Sequence, residues 1–301
     1  MTSVTVAAGT RRVARTRRVA LPRVGLHAFL IATAIVWLAP VGWAVFTSFR
    51  PYADTAKHGY VSIPHVLSLT NYRNAWSQGQ IPLHFWNSMI VTIPAIALIL
   101  LLASSVAFVV SRFSFWFNVP LLIFFMAANL LPQQVIITPL YELYLRIPLP
   151  TWLSSSGLAY DSYIGLIVVN VAFQTGFCTF VLSNYMKTLP SSLGEAARVD
   201  GASVFRQYWG IILPLCRPAL AALATLEFTW IYNDFLWAIV LMSSGDKRPI
   251  TSSLQNLVGT YFTDNNLISA AAVLVALPTL FVYAALQRQF VSGLTLGAKK
   301  G

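Results

Sequence analysis

Residues 195–201 read EAARVDG, and residues 211–214 read IILP after a gap of nine residues. Together they form the longest polar, helix-compatible stretch between the strongly apolar segments of the chain. Alanines favour helix, and the glycine permits a break. In a membrane protein, a small-residue helix followed by a break on one face of the bilayer presents a surface to a soluble partner. This stretch therefore predicts a docking segment.

The composition is that of a membrane protein. Of the 301 residues, 57% are hydrophobic and only 10% are charged, and the mean hydropathy is +0.68. Ordinary soluble domains carry about a quarter charged residues. These values exclude a soluble enzyme or a nucleic-acid-binding domain, although the net charge is +11. We attribute the basic excess to membrane topology, since lysine and arginine accumulate in cytoplasmic segments.

Six apolar segments are long enough to cross a hydrocarbon layer of about 30 Å as helices. We expect an all-α fold with a basic tail at 1–23, a transmembrane domain at 24–290 and a tail at 291–301. Pro132 and Pro139 should distort the third span. The alternative for the first span, a signal peptide, is disfavoured because the apolar run is too long. The spans are expected at residues 24–49, 84–110, 119–145, 162–186, 218–242 and 267–290.

The distribution of basic residues predicts the orientation. With the N-terminus inside, most of the 20 lysine and arginine residues fall in inside segments, including six arginines within residues 1–23. The positive-inside rule then places both termini in the cytoplasm. The segment at residues 187–217 lies on the same side.

Local chemistry predicts a helix, a break and a second helix in residues 187–217. Ser192 and Glu195 have the spacing of a capping box, so Glu195 should cap the helix start. Gly201 permits the turn, and Pro214 interrupts the hydrogen-bond ladder where the chain returns to the bilayer. The competing interpretation is an ordinary solvated loop between helices.

The spacing of this stretch resembles the signature loop of the membrane-spanning subunits of bacterial ATP-binding-cassette importers. The C-terminal residues, residues 133–141 and residues 233–237 are also similar to permeases of the maltose type, the second of two permeases in carbohydrate importers. The matching loop positions are Glu195, Ala196, Ala197, Asp200, Gly201, Ile211, Leu213 and Pro214.

The resemblance implies the type I importer permease fold and a transport role without covalent chemistry or catalytic residues. The loop would be a coupling helix that docks into an ATPase, with Ala196 and Ala197 as the contact surface. The chain has no GxxxxGK[ST] motif, so it carries no cofactor and ATP would bind to the partners. The implied partners are a second permease in a heterodimer, two ATPase subunits, an extracytoplasmic solute-binding protein and the lipid bilayer, with no nucleic acid.

Polar residues inside the spans are candidates for a solute path, because their burial in lipid is costly. In the fifth span, the spacing predicts one stripe on one helix face. Carboxylates accept hydrogen bonds from hydroxyl groups, and aromatic faces pack on sugar rings. The competing interpretation is packing between helices. The stripe comprises Glu227, Trp230, Asp234 and Trp237, and further candidates are Asn233, Gln133 and Asn170.

Other readings of the sequence remain open. A permease of the same family could carry glycerol phosphate or a polyamine, whereas the resemblance favours a sugar or oligosaccharide. An ion-coupled secondary transporter is disfavoured because no internal repeat is visible. Cys178 and Cys216 suggest neither a disulfide nor a metal site. The histidines show no metal-ligand spacing, so no metal site is predicted; they are His27, His58, His65 and His84.

Overall fold

The computed structural model describes residues 20–259 and 263–295, and side chains within residues 24–259 and 263–287. The N-terminal tail up to residue 19 and the lysines at 299 and 300 lie outside these residues. Residues 1–46 form one unit and residues 47–301 a second. In the first unit, the helix bears exposed apolar side chains such as Trp37, which is 78% exposed.

The described residues are almost entirely helical, as expected. The first half of the chain contains α1 (Ala20–Ser48), α2 (Tyr52–His58), α3 (Thr70–Gln78), α4 (Ile81–Arg112), α5 (Asn118–Leu130) and α6 (Ile137–Tyr144). The second half contains α7 (Tyr163–Lys187), α8 (Ser192–Val199), α9 (Val204–Gln207), α10 (Leu213–Leu215), α11 (Arg217–Tyr232), α12 (Leu236–Leu241), α13 (Ile250–Ser253) and α14 (Asn265–Thr295). Short 3₁₀ turns and one π-helical turn join some of them.

Four of the described helices are long and apolar enough to cross a membrane by themselves. They correspond to the expected first, second, fourth and sixth spans, and α14 continues past residue 290. Two further segments pass the same test only as bent pairs, Asn118–Leu130 with Gln133–Tyr144 and Val204–Leu215 with Arg217–Tyr232, the second bent by 73°. The described residues therefore provide up to six spans.

The third span, expected at residues 119–145 with distortion at its prolines, is interrupted rather than one helix. Asn118–Leu130 and Gln133–Tyr144 are bent by 87°. The break lies at Leu131 and Pro132, as the proline suggests: Leu131 is extended (φ −67°, ψ 129°), the conformation favoured before proline. Pro139 does not break α6, because it lies in the first turn, where backbone N–H groups have no partner within the helix.

The expected continuous helix over residues 218–242 is wrong. The helix α11 ends at Tyr232, and α12 begins at Leu236. Two side chains at the break bond the backbone, although the Asn233 N–H also keeps its helical bond to the Thr229 carbonyl at 3.3 Å. Asn233 Nδ2 donates to the Thr229 carbonyl at 2.7 Å, and an Asp234 carboxylate oxygen accepts from the Trp237 N–H at 3.1 Å.

The core lies between α4 and α7, which pack along one another. Every fourth residue from Ala95 to Ala107 in α4 is completely buried: Ala95, Ile99, Ala103 and Ala107. Because three of these are alanines, the two backbones can approach closely. In α7, the completely buried residues Cys178, Leu182 and Met186 follow the same four-residue interval. A second pair, α11 and α14, packs beside α4.

Candidate functional site

The segment between α7 and α11 contains the expected turn. The helix α8 ends at Val199, and Gly201 has φ +74°, the left-handed conformation that glycine adopts readily. Its turn is closed by the Ala202 N–H, which donates to the Ala197 carbonyl at 2.8 Å. Gln207 Nε2 donates to the Ala202 carbonyl at 2.9 Å and ties α9 to this turn.

The expected capping box is absent. The residue before α8 is Ser191 rather than Ser192, and no side chain makes a capping bond there. Ser191 itself has helical dihedral angles (φ −64°, ψ −30°), so the helical turn starts at Pro190, whose carbonyl accepts from the Leu193 N–H. Pro190 therefore starts the helix, and Glu195 has no capping role.

The exposed face of this segment is apolar as well as charged. Glu195, Ala196 and Gly201 are exposed, whereas Ala197 is only 5% exposed. Ala197 therefore packs within this chain and is not part of an open contact surface. The exposed apolar side chains include Val199 at 88%, Phe205 at 71%, Val204 at 51% and Trp209 at 44%.

Tyr208 anchors the segment to the membrane helices, a contact that the motif did not predict. Its hydroxyl lies 2.7 Å from Ser104 Oγ of α4, and its ring packs 5.3 Å from that of Phe108. Tyr208 begins a π-helical turn that ends at Ile212. Ile211 and Leu213 pack on the core, and Pro214 lies in the first turn of α10. The segment is thus in direct contact with α4.

A cavity of about 330 Å³ lies where the break after α5 and the break after α11 approach α7. Five of the seven predicted path residues line it, although they do not form one helical stripe. Three further lining residues come from α5 and α7. The lining consists of Asn129, Gln133, Asn170, Phe173, Gln174, Trp230, Asp234 and Trp237.

The cavity combines aromatic walls with hydrogen-bonding groups. Phe173 and Trp237 stack with ring centroids 5.6 Å apart, and Trp230 remains 41% exposed. Asn170 Nδ2 lies 3.4 Å from Asp234 Oδ2. Among the described residues, Gln174 Oε1 and Trp237 Nε1 are buried and have no hydrogen-bond partner. An acceptor and a donor are thus left for a polar solute or water.

Two predicted path residues lie outside the cavity lining. Glu227 is completely buried and accepts a hydrogen bond from the Cys178 thiol at 3.1 Å. Asn233 is exposed, and its amide lies 3.4 Å from Thr279 Oγ1 of α14. Glu227 is thus engaged in the contact between α11 and α7, and Asn233 lies beside α14.

Two polar clusters lie in the predicted outer loops. In one, Asp161 accepts the backbone N–H groups of Ser243 and Ser244 at 3.0 Å each, and Lys247 Nζ lies 3.4 Å away. Burial acts to raise the pKa of Asp161, but the bonds from Ser244 and the charge of Lys247 outweigh it, and the pKa is lowered. This cluster ties the 145–163 connection to the segment after α12.

In the other cluster, Arg50 is 1% exposed and pairs with Asp54 at 2.9 Å. Burial acts to raise the pKa of Asp54, but hydrogen bonds from Arg50 and His58 outweigh it, and the pKa is lowered. The loop after α2 also brings His65 to this carboxylate, a proximity that the sequence spacing did not indicate.

Comparison with known proteins identifies the family. Residues 69–295 match the model described as binding-protein-dependent transport system inner membrane component. A probable ABC transporter permease protein of Pyrococcus horikoshii is 34% identical, with 86% of this chain and 91% of that protein covered. The diacetylchitobiose uptake system permease protein of Streptomyces coelicolor is 30% identical, with 90% and 87% covered.

A further relative is the alpha-glucoside transport system permease protein of Rhizobium meliloti, 34% identical over 79% of this chain and 62% of that protein. Among solved structures, a bacterial ABC transporter involved in the import of the acidic polysaccharide alginate matches with a TM-score of 0.74. That match covers 92% of this chain and 99% of the other at 18% identity, and it supports the fold alone. The chain belongs to the family of inner membrane components of binding-protein-dependent transport systems.

Proposed function

We propose that this chain is the permease subunit of an ATP-driven importer for a sugar or oligosaccharide. The observation that carries the proposal is the cavity, which joins three aromatic side chains to four amides and one carboxylate. Aromatic faces pack on the apolar faces of sugar rings, and amides and carboxylates hydrogen-bond hydroxyl groups. No lysine or arginine belongs to the described lining, which disfavours a phosphorylated solute such as glycerol phosphate. The uptake systems named for two relatives take diacetylchitobiose and alpha-glucosides.

Family membership makes this chain a multi-pass inner membrane component of an ABC importer, with ATPase and substrate-binding partners. Within that assembly, we propose a heterodimer with a second permease, served by two ATPase subunits and one extracytoplasmic binding protein. Both termini are then cytoplasmic, as the distribution of basic residues favours. If the cavity were shared between two permeases, the second permease would cover the exposed part of Trp230.

The segment at residues 187–217 is proposed to dock into an ATPase subunit. Its exposed apolar residues, Val199 and Phe205, suit burial in a protein cleft, since large exposed apolar patches mark interaction sites. Glu195 and Asp200 add exposed charge beside them. Tyr208 then carries the movement of the segment to α4 through its contact with Ser104.

Transport in proteoliposomes tests the cavity directly. The full importer, with its binding protein, is assayed for ATP-dependent uptake of radiolabelled maltodextrins, diacetylchitobiose, a polyamine and glycerol phosphate. For wild type, we expect uptake of a saccharide. Trp230→Ala should lower that uptake at least tenfold, and Trp230→Phe should keep most of it because the aromatic face remains.

The matched control is Trp86→Ala. Trp86 is 63% exposed on α4 and does not line the cavity, so its loss should leave uptake unchanged. Saccharide uptake that is equal in Trp230→Ala and Trp86→Ala would contradict the proposed path. ATP-dependent uptake of the polyamine or glycerol phosphate without any saccharide would contradict the proposed substrate class.

A further inference from the structure

Three potential metal ligands converge outside the solute cavity. His58 Nδ1 lies 3.1 Å and His65 Nδ1 lies 3.6 Å from the same oxygen, Oδ1 of Asp54. One ligand atom from each of the three residues fits within 4.8 Å of the others. Ligands held about 2.0–2.2 Å from a tetrahedral zinc ion lie about 3.3 Å from one another. The two separations from Oδ1 of Asp54 are therefore close to those of a zinc site.

The two imidazole rings are arranged face to face. Their centroids lie 4.0 Å apart with an interplanar angle of 27°, so the rings are stacked, and the more exposed His65 ring would rotate to direct its nitrogen lone pair at an ion shared with His58. His58 belongs to the last turn of α2, whereas His65 lies in the following loop. The rings are 30% and 62% exposed, which leaves access for an ion and room for water as a further ligand.

The carboxylate is held in place from behind. Arg50 donates from Nε and Nη2 to Oδ2 of Asp54 at 3.0 and 2.9 Å, which leaves Oδ1 facing the histidines. The same guanidinium donates to the carbonyls of Tyr60 and Ser62 at 3.1 and 3.0 Å, which fixes the chain reversal after α2. Such outer hydrogen bonds orient the ligands of metal sites in proteins.

We propose that Asp54, His58 and His65 bind a zinc-class divalent ion. Two imidazole nitrogens and one carboxylate oxygen suit zinc, copper and nickel, whereas magnesium and calcium prefer oxygen ligands alone. The ion would link α2 to the loop at residues 59–69. That loop also carries Val61 and Ile63, which are 85% and 83% exposed, so the ion would fix their presentation at the surface.

Metal binding is measured on the full importer in nanodiscs, purified with a tag that contains no histidine. The chain is first treated with a chelator and then titrated with Zn²⁺ by calorimetry. We expect the His58→Asn/His65→Asn variant to bind Zn²⁺ at least a hundredfold more weakly than wild type at this stoichiometric site. His27→Asn, which changes a histidine on α1, is the matched control and should bind as wild type.

A second measurement uses the wild-type protein alone. Cu²⁺ added at one equivalent should give an electron paramagnetic resonance spectrum with hyperfine coupling to two imidazole nitrogens. Tight binding that disappears in the double variant, together with this spectrum, supports the site. Absence of stoichiometric binding to wild type, equal binding by the double variant, or a copper spectrum without nitrogen coupling would each overturn it.

Discussion

The thiol of Cys178 in α7 donates a hydrogen bond to Oε1 of Glu227 in α11, across 3.1 Å. Both residues are completely buried, and Oε2 of Glu227 has no partner among the described residues. A buried acceptor without a donor costs about 1–3 kcal/mol, so this contact joins the two helices at a sensitive point. Glu227 is therefore proposed to serve helix packing rather than the solute path.

Replacement of Cys178 tests this contact. Cys178→Val removes the donor at similar volume, and we expect it to lower the free energy of unfolding by about 1–3 kcal/mol. Cys178→Ser keeps a donor and should retain most of the stability. The midpoint of thermal unfolding in detergent measures both. Equal midpoints for the valine and serine variants would show that the hydrogen bond contributes nothing.

The packing of α5 on α7 depends on Gly176. A Cβ atom at this position would lie 3.0 Å from the Phe125 carbonyl oxygen and 3.1 Å from the Phe125 Cβ. We expect Gly176→Ala to separate the helices and to destabilise the protein by about 1–3 kcal/mol, measured by thermal unfolding. Gly42→Ala is the control, because nothing lies within 4 Å of its added Cβ. A Gly176→Ala midpoint no lower than that of the control would contradict the close contact.

At Gly201, a larger side chain is disfavoured by the backbone conformation and not by a lack of space. Nothing lies within 4 Å of an added Cβ there, but φ is +74°. A β-branched residue in this conformation costs about 1–3 kcal/mol, whereas asparagine tolerates it. Gly201→Val should therefore reach the membrane at the wild-type level but abolish uptake, and Gly201→Asn should retain uptake. Normal uptake by the valine variant would refute the role of this turn in coupling.

The stability of the outer connection should depend on pH through Asp161. Because its pKa in the folded chain is lowered from 3.8, its contribution is complete above that value. The contribution is lost as the pH falls through the lower folded pKa. At pH 7, we expect Asp161→Asn to cost about 1.5–3 kcal/mol by loss of charged hydrogen bonds.

Comparing the thermal stability of wild type and Asp161→Asn at low pH tests the role of the Asp161 charge. Thermal unfolding of wild type and Asp161→Asn is followed from pH 7 to below pH 3.8, and the difference between their midpoints should shrink only below about that value. A difference that stays constant over the whole range would mean that the carboxylate charge is not responsible.

The sequence anticipated features that depend on composition over long windows. Apolar length predicted the helices at α4, α7 and α14, and the spacing around Glu195 led to the family. It did not anticipate the break at Asn233 and Asp234, because these two polar residues stand in an apolar run and gave no sign that their side chains would bond the backbone. It also missed the approach of His65 to Asp54, because that distance is set by the path of a loop held by Arg50.

The two interrupted segments have an evolutionary consequence. Around the cavity, the helices stop at Leu131 and at Asn233, so the two breaks set the course of the backbone beside the cavity. The shape of the cavity is thus set by the backbone breaks, whereas its chemistry is set by the lining side chains. Under the proposed function, substitutions at lining positions such as Gln174 or Trp230 would change the preferred solute, while the residues at the breaks and the proposed docking segment stay constant. The imported solute could then change during evolution without any change in the proposed contact with the ATPase subunit.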